Sequence, residues 1–290
     1  MRLITFSPRN QAPRLGALLP DEQVLDFSRS ETRLPANVLD FLEMGRPALE
    51  LAQFVIDRRP PQALLPLAQV TLLAPVPRPG KIICMGHNYA DHIGIGRTAP
   101  AEFPNFFCKT ANTVIGPDQP IVIPPVTEQV DYEAELAVVI GRQALCVSEE
   151  DAMDYVAGYT IFNDVSARDY QKRTSQWFLG KSFDTFGPLG PTLTTAEEVP
   201  DPYSLELSLT LNGQEMQRTN TRQMIFSIAY QISYLSRVMT LEPGDILSTG
   251  TPAKTELAKS LPPFMKAGDV VSISIDGLGE LANPLSAGGR

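Results

Sequence analysis

Asp131-Tyr-Glu-Ala-Glu-Leu-Ala-Val-Val-Ile-Gly141 is the stretch on which the reading of this chain turns. Ala134, Leu136, Val138 and Ile140 recur at a period of two, which predicts a β-strand over 134–140. Glu133 and Glu135, two residues apart, then project together from the opposite face. Neighbouring carboxylates repel unless they are protonated, exposed to water or bridged by a cation. One reading is a half-exposed strand with its polar face in water. The other is a metal site, because hard cations such as Mg²⁺ prefer oxygen ligands.

The residues that follow shift the weight toward metal. Gly158-Tyr-Thr-Ile-Phe-Asn-Asp164 reads as a second strand closed by Asp164, and Val-Ser-Ala-Arg168-Asp-Tyr-Gln171 comes directly after it. A carboxylate, a guanidinium and an amide therefore gather at a strand end, where functional groups are often carried. Three carboxylates with no thiolate nearby suit Mg²⁺ or Mn²⁺ rather than Zn²⁺, leaving coordination positions for water and substrate oxygens.

Further strands are predicted at 81–85, 205–211, 245–249 and 269–275, most of them bounded by turn signals. Leu205, Leu207, Leu209 and Leu211 alternate with polar residues and run into Asn212-Gly213, a strong hairpin signal. Met224, Ile225, Ile228, Ile232 and Leu235 share one face of a helix predicted over 221–238. Pro243-Gly-Asp245 and Ala267-Gly-Asp269 are similar turns that each launch an apolar strand. Upstream, short strands at 2–6 and 15–19 precede helical patterns at 38–44 and 48–56. Ala74-Pro-Val-Pro-Arg-Pro-Gly80 cannot continue a helix or a central strand and is read as a linker. The expected organisation is a small N-terminal α+β domain, residues 1–73, and a catalytic domain, residues 80–290, in a strand-rich α+β fold.

Bulk properties exclude several function classes. The 290 residues are 43% hydrophobic and 20% charged, as in ordinary globular proteins. Lys plus Arg number 24 against 33 Asp plus Glu, a net charge of −9, which argues against nucleic acid as a partner. Cys84, Cys108 and Cys146 form neither a disulfide framework nor a Cys-x-x-Cys pair, which fits a reducing cytosol. The first residues lack the apolar run of a signal peptide, and no apolar stretch is long enough to cross a bilayer. These features lead to the expectation of a soluble cytoplasmic protein with no membrane partner.

Several motifs together resemble the fumarylacetoacetate hydrolase family: Gly86-His-Asn-Tyr-Ala-Asp-His92, the 131–141 run, Asn163-Asp-Val-Ser-Ala-Arg-Asp169, Gly180-Lys-Ser-Phe-Asp184, Pro188-Leu-Gly-Pro191, and Glu242-Pro-Gly-Asp245 through Thr249-Gly-Thr-Pro252. They stand in family order from about residue 80 to 284. The resemblance implies a mixed β-roll in the main domain, usually in a homodimer, with Mg²⁺ or a similar ion on Glu133, Glu135 and Asp164. It implies chemistry on a small 2-oxo acid. Hydrolytic carbon–carbon cleavage of a 2,4-dioxo acid is the main expectation; decarboxylation of an oxaloacetate-like acid or enol–keto isomerisation on the same metal site is the alternative. A catalytically degenerate metal-binding scaffold is a third reading.

By the same resemblance, Lys181 adds positive charge beside the metal, Arg168 and Gln171 orient substrate oxygens, and Thr251 contributes a hydroxyl or amide. His92 matches the histidine that activates water; His87, the chain's other histidine, is read as a structural group. Hydrolytic members commonly carry His-x-x-Glu here, whereas this chain has His92-Ile-Gly-Ile95. Ile95 can neither accept a proton nor orient the imidazole, so a carboxylate such as Asp91 or Glu102 would have to replace the missing one. The departure weighs against hydrolysis more than against metal binding. Trp177 and Phe178 are expected to line the distal part of the site.

Overall fold

The computed structural model of the chain describes residues 1–9, 11–30, 33–93 and 102–289. The strand predicted from alternation spans Ala134–Ile140 and lies inside a large sheet. It pairs antiparallel with Val156–Asn163 on one side and with Ile246–Ser248 on the other. Beyond Ile246–Ser248 come Ile82–Gly86, in parallel, and Asn105–Lys109, antiparallel. Beyond Val156–Asn163 the sheet passes through Gly187–Thr195 to Arg2–Pro8, Arg14–Leu18, Gln23–Asp26 and Leu64–Pro66. A second sheet joins Gln214–Asn220, Glu206–Leu211, Val270–Ile275, Gly279–Ala287 and Ile121–Ile123. The fold is thus strand-rich α+β.

Both faces of Ala134–Ile140 are covered. Ala134, Leu136, Val138 and Ile140 pack in one core with Leu207, Leu209, Val271 and Ile273 of the second sheet. Ala137 and Val139 face another core, shared with Phe41, Leu42, Ala48 and Ala52 of the helices Val38–Met44 and Arg46–Arg58. Those two helices sit where the apolar periodicity predicts them. Residues before the 74–80 proline run share the large sheet, since Arg2–Pro8 bonds both to Gly187–Thr195 and to Val70–Leu73.

Turn chemistry matches expectation where it is local. Asn212 and Gly213, at φ 51° and 78°, join Glu206–Leu211 to Gln214–Asn220, the positive-φ pair of a tight hairpin. The two echoing turns are built alike: Asp245 accepts from the Glu242 N–H at 2.7 Å and Asp269 from the Lys266 N–H at 2.8 Å.

The predicted helix over 221–238 is shorter in the structure, Ile228–Ser236. Ser227 caps it by accepting from the Tyr230 N–H at 3.0 Å. Met224 and Ile225 lie outside because their backbone is used elsewhere: Met224 bridges to Tyr89, and the Ile225 N–H donates to the Asn88 carbonyl at 2.8 Å. A long-range partner has overridden the helical pattern.

Candidate active site

Strand register brings the acidic residues together. Ala134 is opposite Asn163, so the next residues on each strand, Glu133 and Asp164, also face each other. The Asp164 N–H donates to the Glu133 carbonyl at 2.9 Å, and the Glu133 N–H to the Asn163 amide oxygen at 3.1 Å. Glu135 joins them from the same side of its strand, and ligand oxygens of all three acids lie within 4.8 Å of one another. Glu133, Glu135 and Asp164 are 8%, 1% and 0% exposed, which removes the reading of a polar face in water.

Two buried lysines and an arginine close on this cluster. Lys181 Nζ donates to Glu133 Oε2 and Asp164 Oδ2, each at 2.6 Å. Lys109 Nζ donates to Asp164 Oδ1 at 2.7 Å and to the Val165 carbonyl at 3.0 Å. Arg168 reaches Glu133 Oε1 at 2.6 Å, Asp131 Oδ2 at 2.9 Å and Gln171 Oε1 at 2.9 Å. Glu135 differs: it accepts from the Ser248 hydroxyl and from the Gly250 N–H at 3.0 Å, both neutral donors.

The electrostatics follow from those contacts. Burial, then the charges of Asp164 and Glu133, push the Glu135 carboxyl well up. Burial also acts upward on Glu133, but Lys181 and Arg168 outweigh it and hold Glu133 well below the usual carboxylate range. Burial works against the charged form of both lysines. At Lys181, Asp164 and Glu133 overcome it and raise the pKa, whereas at Lys109 burial prevails over Asp164 and lowers it. An all-oxygen donor set in which one carboxylate lacks a cationic contact among the described residues fits a hard divalent cation, which would offset the Glu135 charge.

Two close approaches put the remaining groups beside the cluster. A Cβ on Gly180 would come within 2.5 Å of the Gln171 nitrogen, so glycine lets the Phe178–Lys181 turn lie against Arg168–Gln171 and delivers Lys181. Gly250, at φ 102°, lies against Asn88, whose Cβ would be 2.9 Å from an added Cβ. Asn88 is fully buried and ties three segments together. It donates to the Thr249 carbonyl at 2.7 Å and to the Phe226 carbonyl at 3.2 Å, and it accepts from the Phe226 N–H at 2.8 Å. This anchors the 86–92 loop over the site.

His92, in the short helix Ala90–Ile93, contacts the Thr251 carbonyl through Nδ1 at 3.1 Å. A carbonyl can only accept, so Nδ1 donates, and in the neutral ring Nε2 is left as the acceptor. The Asp91 carboxylate accepts from Thr219 at 3.1 Å, and Glu102 is exposed. Ile95 lies outside the described residues. His92, Gln171, Arg168, Lys181, Thr251, Glu133 and Glu135 all line one cavity of about 610 Å³. His87 lines it too, with its ring edge-on to Trp177 at 5.4 Å and to His92 at 5.8 Å. Trp177 is a lining residue as expected, while Phe178 is exposed.

Several groups went unassigned in the sequence reading. Asp131 stood inside the quoted motif, yet nothing local reveals that it accepts from both Arg168 and Lys254. Lys109 ends the apolar strand Asn105–Lys109, and a lysine closing such a run is its one sequence signal. Gln217 donates to the Thr251 hydroxyl at 3.0 Å and accepts from the Ala134 N–H at 3.0 Å, joining the second sheet to the site.

A family profile described as fumarylacetoacetate (FAA) hydrolase C-terminal matches residues 81–286. Among curated proteins, the chain is 44% identical over 289 residues to a mitochondrial oxaloacetate tautomerase of Xenopus laevis, covering 98% of this chain and 90% of that protein. Among solved structures, it is similar to a maleylpyruvate hydrolase from a Sphingobium species in complex with manganese(II) and pyruvate, at TM-score 0.82 and 34% identity over 100% of both chains. It is also similar to a 2-hydroxyhepta-2,4-diene-1,7-dioate isomerase from Mycobacterium marinum, at TM-score 0.77 and 34% identity over 100% of both chains. With the acidic triad in place and the profile spanning most of its length, the chain belongs to the fumarylacetoacetate hydrolase family.

Proposed function

We propose that the chain catalyses enol–keto tautomerisation of a small 2-oxo dicarboxylic acid of the oxaloacetate class, with Mg²⁺ or Mn²⁺ held by Glu133, Glu135 and Asp164. The observation that carries the reading is the partner of His92: its Nδ1 meets a carbonyl rather than the carboxylate that would charge and orient a water-activating base. The tautomerase relative at 44% identity and the isomerase at 34% support the same class of reaction. This replaces carbon–carbon hydrolysis as the first reading. Hydrolysis remains the second, supported by the maleylpyruvate hydrolase at 34% identity.

Tautomerisation moves one proton from the enol oxygen on C2 to C3. His92 Nε2 accepts the first proton, and the resulting imidazolium returns one to carbon, so a single shuttling group suffices. When bound, the divalent ion supplies positive charge where the C2 oxygen becomes negative. Arg168, fixed by Asp131 and Glu133, and Gln171, fixed by Arg168, orient the C1 carboxylate. Lys181, which donates to both Glu133 and Asp164, helps to keep Glu133 ionised for the metal. Thr251 sets the His92 tautomer through its carbonyl. A homodimer in a reducing compartment completes the proposal: the free thiols Cys84, Cys108 and Cys146 suit the cytosol, and the Xenopus laevis relative is named mitochondrial.

The test follows the ultraviolet absorbance of enol-oxaloacetate with Mg²⁺ present. Decay faster than in buffer, and slowed by His92→Ala, is the expected result. Unchanged decay combined with cleavage of acetylpyruvate would turn the reading to hydrolysis.

A further inference from the structure

Next to the 610 Å³ cavity lies a smaller one of about 290 Å³, and the two share His92, Glu133, Arg168 and Thr251. Its outer wall is basic, carrying Lys254 and Lys259. Lys254 Nζ is 2.7 Å from Asp131 Oδ1 and 3.4 Å from the Pro263 carbonyl, and it lies 4.5 Å from the centre of the Tyr132 ring. An ammonium has three donors, so among the described residues these two acceptors leave one unused on a side chain that is 25% exposed. Lys259 is already paired with Glu256 at 2.6 Å.

Charge counting gives the chemical class of what this donor would meet. Among the described residues, Arg168, Lys181, Lys109 and Lys254 balance Asp131, Glu133, Glu135 and Asp164, and Lys172 at the rim of the larger cavity leaves one net positive charge. A bound divalent cation would add two more, so a dianion complements the site better than a monoanion. A monocarboxylic 2-oxo acid brings one negative charge; a dicarboxylic one brings two. The far carboxylate also needs its own donor once it leaves water.

Resting on the 2-oxo acid reading above, we infer that Lys254 is a specificity-determining residue: its free N–H receives the distal carboxylate of a dicarboxylic substrate in the smaller cavity, while the C1 carboxylate and 2-oxo group occupy the larger one. Asp131 makes this possible by holding Lys254 and Arg168 on its two oxygens, which fixes the separation of the two cationic anchors. Lys172, which also lines the larger cavity and is exposed, is the competing anchor.

The experiment compares oxaloacetate with 2-oxobutyrate, which carries a methyl in place of the distal carboxylate. KM for oxaloacetate and the inhibition constant of 2-oxobutyrate are measured with Mg²⁺ for the wild type, Lys254→Met, Lys254→Arg and Lys172→Met. Losing one charged hydrogen bond should raise the oxaloacetate KM of Lys254→Met about tenfold to a hundredfold relative to the 2-oxobutyrate constant. Lys254→Arg should recover much of that ratio, because it restores a cation at the same position. A role confined to propping Asp131 and Arg168 would shift both constants together, and that result overturns the inference. So does a ratio that moves with Lys172→Met instead. A wild type that neither turns over oxaloacetate nor is inhibited by 2-oxobutyrate would overturn the underlying functional reading as well.

Discussion

The two ends of the strand Ala134–Ile140 carry the same side-chain parity and have opposite fates. At the first end, Glu133 and Glu135 enter a cavity of about 610 Å³ among lysines and an arginine. Further along the same face, Ala137 and Val139 are sealed under Phe41, Leu42 and Ala48. Near the far end, by Gly141, is a cavity of similar size, about 620 Å³, lined by Phe41, Leu42 and Leu193 together with charged groups such as Arg46 and Glu50. Volume therefore does not identify the reactive end. Convergent buried carboxylates do, because leaving them in a protein interior requires compensating charge. Changes at the covered end should act on stability alone, whereas changes at the open end should also act on metal binding and chemistry.

The largest effect is expected at the charged end. Asp164→Ala leaves Lys109 and Lys181 without their shared acceptor; a buried charge stripped of its partner costs about 3–5 kcal/mol. Denaturant unfolding should register that loss, and calorimetry should register no Mg²⁺ binding. Normal metal affinity in this variant would break the assignment of Asp164 as a ligand.

His92→Ala acts on chemistry alone. Turnover of enol-oxaloacetate should fall by about 10²- to 10⁴-fold, the range for a lost general acid–base, with the unfolding midpoint nearly unchanged. Retained turnover would remove the shuttle role.

The covered end supplies the control. Val139→Ala deletes two buried methyl groups and should destabilise by about 1–2 kcal/mol while Mg²⁺ affinity is preserved. A comparable loss of affinity would show that the two ends are not separable.

The smallest effect concerns pH. Because Glu135 is pushed upward in the folded state, its contribution to the metal-free protein is present below the ordinary carboxylate pKa. That contribution is lost as pH rises through the elevated value. Glu133, held down, works in the opposite sense: its contribution is present above the ordinary pKa and fades as pH falls through the lowered one. Since a metal requires ionised carboxylates, added Mg²⁺ should raise the melting temperature more at pH 8 than at pH 5. An equal shift at both values would contradict the coupling between Glu135 and the ion.

Much of this architecture is legible in consecutive residues. The alternation at 134–140 predicts the strand and its two-sided character, and Asn212-Gly213 predicts a hairpin whose residues adopt positive φ as the turn demands. The carboxylates were equally readable, because Glu-x-Glu on a strand has one geometric outcome. The helix predicted over 221–238 starts only at Ile228. Its apolar periodicity is real, but Asn88 takes the hydrogen bonds of residues 225 and 226 from a distance in sequence that no local pattern encodes.

By itself, then, the chain's order of residues determined which segments extend, where they turn and which side chains share a face, since these depend on steric and hydrogen-bonding preferences of near neighbours. Tertiary structure alone decided which of those faces would be charged and open or apolar and shut. Lys109 meets Asp164, Lys254 meets Asp131, and the helices at 38–58 cover Val139, each across tens of residues or more. Such contacts arise from how whole elements pack, and that packing makes Glu135 a buried carboxylate held by neutral donors rather than one more acid in water.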